Sequence, residues 1–219
     1  MLELRNVNAS YGPVQVLKDI SITVNKGETV TLIGANGAGK TTFLRIIATQ
    51  LMPTKGDAYV LGCSVLNEPN EVRKHISVVP QDIQAYSSYT PWDYAFNFAK
   101  LRGMSAQYAK EAANKALKAV DLAQLKNRTC ATLSGGEKRR ALIAAALASD
   151  ADVFMLDEPT SGLDAIARRG VWSALRDLVK EGRTILLTTH MMEEAELVSD
   201  KLAIINKGIL ISEGSPSEI

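Results

Sequence analysis

Cysteine is nearly missing from this sequence: Cys63 and Cys130 are the two in 219 residues. Two thiols do not make a disulfide framework, and their separation matches no metal-ligand spacing. Both read as small buried hydrophobes in a reducing cytosol. Long apolar runs are also missing. No stretch of about 18 apolar residues occurs, and Met1-Leu2-Glu3-Leu4-Arg5 lacks the apolar centre of a signal peptide, so the chain is not expected to cross a bilayer by itself. Nor is there an excess of charge of one sign. Lys and Arg number 25 against 24 Asp and Glu, a net charge of +1. That gives no electrostatic case for nucleic acid as the main partner and requires any bound anion to be held by a local site. Internal repeats and low-complexity linkers do not occur. What remains is an ordinary globular composition, 46% hydrophobic and 22% charged, of a length suited to one domain with room for two small lobes.

Alternation over residues 2–7 and 20–24, and the apolar run Thr29-Val30-Thr31-Leu32-Ile33, predict three early strands. Further strands are expected at 57–61, 76–79, 153–156, 184–189, 202–206 and 209–212. Phe43, Leu44, Ile46 and Ile47 recur at helical spacing, so the third strand passes through a glycine-rich loop directly into a helix. Between Pro91 and Ser149 the pattern turns helical. Ala106, Ala109, Ala113, Ala116 and Val120 line one face there, and Lys110, Glu111, Asn114, Lys115 and Lys118 another. The expectation is an α/β sheet interrupted by a helical insertion. Ser215-Pro216-Ser217-Glu218 reads as a helix start with Ser215 at the cap. So few residues follow it that the polypeptide is expected to continue past Ile219 or to be poorly ordered there.

Chemistry concentrates at three places. Gly34-Ala35-Asn36-Gly37-Ala38-Gly39-Lys40-Thr41 fits G-x-x-x-x-G-K-[ST] at every fixed position. Its glycines let successive backbone N–H groups turn inward onto phosphate oxygens, and the following helix adds its positive end. Lys40 then reaches the β and γ phosphates, and the Thr41 hydroxyl ligates magnesium. Downstream, Val153-Phe154-Met155-Leu156 runs apolar into Asp157-Glu158. A buried strand ending in two carboxylates can give one, Asp157, to the metal and leave its neighbour facing the other way; Glu158 is the candidate to polarise an attacking water. Third, Leu133-Ser134-Gly135-Gly136-Glu137 precedes the basic helix start Lys138-Arg139-Arg140. A serine hydroxyl and exposed N–H groups at a helix start form a second anion cradle, although such a turn is also an ordinary helix cap.

The three motifs in this order resemble ATP-binding cassette (ABC) ATPases, and the stretch Thr188-Thr189-His190-Met191-Met192-Glu193-Glu194-Ala195-Glu196 resembles the drug and multidrug exporters among them. The resemblance implies a two-lobed P-loop NTPase of ABC type: a mixed-sheet catalytic lobe at about 1–84 and 151–219, and a helical subdomain at about 85–150. It implies ATP and Mg2+ as cofactors. Nucleotide contacts are then expected from Tyr11, stacking on adenine, from Val16, from Gly34, Ala35, Asn36, Gly37, Ala38, Gly39, Lys40, Thr41 and Thr42, and from Asp164. It carries Gln81 over as a magnesium ligand beside Thr41 and Asp157, and His190 as a γ-phosphate contact acting with Lys40 and Glu158.

Two phosphate cradles with one nucleotide-sized loop make sense when two copies pair head to tail. Ser134, Gly135 and Gly136 of one copy then cover the ATP of the other, in a homodimer or a paired ABC subunit. The same resemblance implies a separate membrane permease and a cytoplasmic protein, peripheral on the cytosolic face of the membrane. A soluble cassette ATPase working on ribosomes or DNA is the alternative, and a nucleotide-gated module without turnover a third reading. Six of the twelve aromatic residues fall between 86 and 98. Trp92, Ala95, Phe96 and Ala99 share the face expected to pack, which leaves Tyr86, Tyr89 and Tyr94 as candidates for an exposed contact with the permease.

Overall fold

The computed structural model describes residues 1–82 and 84–219. The chain folds as two compact units, one formed by residues 1–78, 152–158 and 179–219, the other by 79–151 and 159–178. The division thus falls at Val78 rather than near residue 84. The segment 159–178, expected with the catalytic lobe, belongs to the second unit.

The first unit holds two sheets. In one, β1 (Leu2–Tyr11) pairs antiparallel with β2 (Val14–Val24) and with β4 (Lys55–Val60), and the short β5 (Cys63–Ser64) extends the edge. Hydrophobic residues alternate inward along these strands, as the sequence pattern requires. The other sheet contains β3 (Thr29–Ile33), β6 (Ile76–Val79), β7 (Val153–Asp157), β8 (Thr184–Thr189), β9 (Lys201–Asn206) and β10 (Ile209–Gly214), in the order β10-β9-β3-β8-β7-β6. Every residue of β3, β7 and β8 is buried. That is why, Asp157 at the end of β7 apart, they are made of apolar residues and threonines without a charged solvent face: they are parallel strands covered on both faces.

Helix α1 (Lys40–Ile47) packs Phe43, Leu44, Ile46 and Ile47 into the same core as Leu2, Leu32 and Met155. Phe43 alone, 1% exposed, contributes roughly 1.5–3 kcal/mol of burial. Two short helices, α2 (Pro69–His75) and α7 (Met192–Val198), complete this unit.

The second unit is helical: α3 (Pro91–Leu101), α4 (Ala106–Ala119), α5 (Gly135–Leu147) and most of α6 (Ala165–Lys180). Its core is unusually rich in alanine, with Ala95, Ala99, Ala109, Ala113, Ala141, Ala144 and Ala145 buried. Small side chains let α3, α4 and α5 pack against one another closely. Thr90 starts α3 through a capping box with Asp93, which explains why the helix begins at Pro91. At the other end of the chain, the Ser215 N–H and hydroxyl both donate to the Glu218 carboxylate and the Glu218 N–H donates to Ser215 O, in a turn and not a helix.

Candidate functional site

Strand register sets the first part of the site. β3 and β7 both run parallel to β8, with Ile33 opposite Thr189 and Asp157 opposite Thr188. Their carboxyl ends therefore lie side by side, the place where open parallel sheets bind ligands. The phosphate-loop sequence follows β3, the carboxylate pair closes β7, and His190 follows β8.

The loop from Gly34 to Gly39 turns into α1 at Gly39, whose φ of 110° is closed to L side chains. A Cβ there would also meet Leu17 Cδ2 at 2.7 Å and the Val16 carbonyl at 3.3 Å. Val16 thus lies against the loop. Ala38 and Thr42 are buried, while Ala35, Asn36 and Gly37 are exposed. A third layer backs the loop: the Gly208 N–H, in the β9–β10 turn, donates to Ala38 O at 2.9 Å, and Gly208 O accepts from Lys18 N. At Gly208 a Cβ would collide with the Val16 carbonyl.

Lys40 is buried, 6% exposed. Its ammonium donates to Gly34 O at 2.7 Å and Ala35 O at 3.3 Å, and it stands 3.7 Å from Glu158 Oε1. Thr41 Oγ1 donates to Asp157 Oδ2 at 2.7 Å. Glu158 is buried as well and faces His190, with Nδ1 3.2 Å from Oε2. These five side chains come together within the first unit. Tyr11 lies in the same unit, 43% exposed, its hydroxyl 3.5 Å from Arg45 Nη1.

One expectation fails here. Strand alternation would turn Glu158 away from Asp157, yet both carboxylates serve the phosphate-loop side. Glu158 has a φ of 46°, outside the strand region. That turn returns its carboxylate toward Lys40, a strained conformation that persists only under firm restraint. Thr188 supplies much of the restraint: its hydroxyl and carbonyl accept from the Glu158 N–H at 3.1 and 3.2 Å, and the hydroxyl donates to Asp157 Oδ1. Sequence reasoning gave Thr188 no role of its own. The signal was a fully buried hydroxyl that follows the apolar run Ile185-Leu186-Leu187 near the end of β8.

Ser134, Gly135, Gly136, Gln81 and Asp164 lie in the second unit. Ser134 caps α5: its hydroxyl accepts from Glu137 N at 3.2 Å, and Glu137 Oε2 accepts from Ser134 N at 2.7 Å. Hydrogen bonds to that carboxylate from the Ser134 backbone N–H, first, and from the Ser134 side chain hold it below its ordinary value of 4.5. Asp164 likewise caps α6, accepting from Ala167 N at 2.8 Å and Ile166 N at 2.9 Å, and these N–H donors lower its pKa. The Gln81 side chain is exposed, and the residue borders a cleft of about 500 Å³ that Gly135, Gly136 and Arg139 also line.

Of the three tyrosines expected at the surface, Tyr86 (71%) and Tyr89 (41%) are exposed. Tyr94 is half-buried instead. Its hydroxyl accepts from the Tyr86 backbone N–H, and burial raises its pKa. The rings run on as neighbours, with centroids 5.8 Å apart for Tyr86–Tyr89 and 5.3 Å for Tyr89–Tyr94. Cys130 is fully buried and its thiol pKa is raised by burial, as an inert structural cysteine requires. Among the described residues no helix is long and apolar enough to cross a membrane.

A glycine loop that leaves a buried parallel strand for a helix, with its lysine beside the carboxylates that close another strand of that sheet, defines a P-loop nucleoside triphosphatase. The chain belongs to the ABC transporter family, whose profile matches residues 17–161. It is 40% identical over 215 residues to Nod factor export ATP-binding protein I of Burkholderia orbicola (strain AU 1054), covering 98% of this chain and 71% of that protein. It is 39% identical over 201 residues to ATP-binding cassette sub-family A member 17 of Rattus norvegicus, covering 92% of this chain but 11% of that much longer protein. Among solved structures, an ATP-binding subunit of an ABC transporter superposes with a TM-score of 0.92 at 27% identity, covering 100% of this chain and 91% of that one. A dimeric ATP-binding cassette in a post-hydrolysis state, bound to ADP and Pi, gives 0.90 at 26% identity, with 99% of each chain covered. The α/β fold of ABC ATPases is therefore established, and with it ATP binding and hydrolysis as the activity of an ABC transporter ATPase.

Proposed function

We propose that this chain drives an exporter by pairing head to tail with a second cassette around two ATP molecules, each hydrolysed by Glu158 and His190 of one subunit under the Ser134–Gly136 turn of the other. The observation that carries the reading is the convergence of Lys40, Thr41, Asp157, Glu158 and His190 at the adjoining strand ends. The N–H groups that open α5 belong to a separate unit and form a second place for anionic oxygens. The dimeric relative supports pairing, and the relative named for Nod factor export supports the direction. Neither relative is named for work on ribosomes or DNA, and the soluble alternative gains no support.

Within the site, Lys40 exchanges its loop carbonyls for phosphate oxygens, a charge-assisted contact in a water-poor setting. Glu158 accepts a proton from the attacking water, and His190, 3.2 Å away, orients the two. Thr41 and Asp157, a hydroxyl and a carboxylate already in contact, are the hard oxygen donors that suit magnesium. They would hold it, with Gln81 as a further ligand. When bound, magnesium supplies charge neutralisation at the phosphates.

Light scattering tests the pairing. Glu158→Gln with ATP is expected to run as a dimer, and without nucleotide as a monomer; a monomer at saturating ATP overturns the head-to-tail assignment. The exposed Tyr86 and Tyr89 are assigned to a separate permease, which implies a position against the membrane. Tyr86→Ala and Tyr89→Ala are expected to weaken co-purification with that subunit while basal ATPase and thermal midpoint stay unchanged. Normal assembly and transport in both variants sinks that contact.

A further inference from the structure

We infer that Arg139 is a positioning residue for hydrolysis, a clamp on three carbonyls that fixes the backbone carrying Gln81 and the backbone that follows Glu158. The inference rests on the roles proposed above for those two residues. Arg139 is the fifth residue of α5, where a helix arginine would ordinarily project into water. Here it is half-buried, and its guanidinium spans two distant segments of chain. Nη1 donates to Pro80 O at 2.7 Å and to Gln81 O at 3.1 Å, and Nε reaches Pro159 O at 3.4 Å.

The identity of those segments gives the clamp its meaning. The chain passes from the first unit into the second at Val78–Val79 and again at Glu158–Pro159. Arg139 therefore binds just inside two of the crossings and ties them to one helix. A proline lies at one crossing, Pro159, and directly follows the other, Pro80, and neither has an N–H to anchor the backbone at that residue. Each still has a carbonyl, and a cationic donor is a strong partner for it. A planar fork with donors in fixed directions can hold carbonyls from two segments at once; an ammonium on a flexible stem is poorly suited to that.

Glu158 gives the clamp its consequence. Its φ of 46° needs restraint on both sides. Thr188 restrains its N–H, and Arg139 holds the carbonyl of the residue that follows. Loosening Pro159 would leave the phosphate loop intact and let the carboxylate drift from the water it must orient. The loss then falls on turnover rather than on nucleotide binding.

The test uses the full chain with Arg139→Ala, Arg139→Lys and, as a reference, Glu158→Gln. Measured are kcat, KM for ATP, affinity for a fluorescent ATP analogue and thermal midpoint. Arg139→Ala is expected to lower kcat roughly tenfold or more while KM and affinity stay within about twofold of wild type, since small misplacements of a reacting group cost rate steeply. Arg139→Lys is expected to fall between the two, because an ammonium can still serve one segment. A kcat within about twofold of wild type in both variants overturns the clamp, as does a kcat loss matched by equal losses of affinity and thermal midpoint. If Arg139→Ala does not fold, Arg139→Lys decides by the same split. An active Glu158→Gln shows instead that the assignment of Glu158 itself has failed; an inactive one beside normal Arg139 variants rejects the clamp alone.

Discussion

In the first unit the phosphate loop hangs from a buried parallel strand. Its Ala38 carbonyl is held by the Gly208 N–H of the β9–β10 turn, Gly39 leaves no room for a Cβ beside Val16 and Leu17 of β2, and its lysine is satisfied by two carbonyls and a carboxylate. In the second, Ser134 and Asp164 stand at exposed helix starts, their side chains already engaged as caps. The difference teaches what each part can do alone. A loop held by a core is preorganised and can bind a polyphosphate as it stands. A capping serine offers its N–H groups and a hydroxyl in use, so it suits a phosphate brought to it on another surface.

Variants can break that comparison, and the largest expected effect is in the first unit. Glu158→Gln should lower kcat by about 10²- to 10⁴-fold, the usual worth of a general base, and leave ATP binding intact. Steady-state phosphate release beside equilibrium binding reads both. Lys40→Ala comes next. Loss of a charged contact to phosphate should weaken ATP roughly 10- to 100-fold, with calorimetry as the measure. Unchanged affinity would mean that the loop is held but not used.

A mixture sharpens the contrast further. Ser134→Arg and Lys40→Ala are each expected to be inactive, whereas together they form one composite site and recover part of the activity. No recovery despite demonstrated heterodimers would return Ser134 to a structural cap alone. The smallest effect belongs to the cap itself. Ser134→Ala should cost about 1 kcal/mol of stability. The Glu137 carboxyl is held below 4.5, so its share is present above that pH and is lost as pH falls through the lowered value. Thermal midpoints of wild type and Glu137→Ala should therefore converge as pH falls below 4.5. A gap that stays constant down to pH 3 would remove the charge from the account.

Much of this was legible in the sequence because it is local. The loop announces itself by fixed glycines and a lysine, and Val153–Asp157 by apolar residues running into acid. The resemblance then supplied the roles of Gln81 and His190. Other features depend on partners distant in the chain. That Glu158 turns back at positive φ is set by Thr188, and that Arg139 leaves the solvent is set by Pro80 and Pro159. Neither pairing has a spacing to read. Helix α6 carries its own local signal, since Val171, Trp172 and Leu175, all buried, recur at helical spacing. The tertiary fold, rather than any change of pattern, moves residues 159–178 into the second unit.

The dependence of the phosphate loop on Gly208 also sets a clock for synthesis. β3 ends at Ile33, but its two neighbours in the sheet start at Thr184 and Lys201, and the turn that backs Ala38 is made later still. A ribosome finishes the loop early and must then translate through Gly208 before that brace exists. A nascent chain arrested before Gly208 emerges is thus expected to slip through ATP-agarose, and one arrested well beyond it to be retained. Retention of both would show that the loop closes without its last brace. On this account nucleotide capture acts as a receipt for a chain that has folded through the β9–β10 turn, withheld from products that stop short of Gly208.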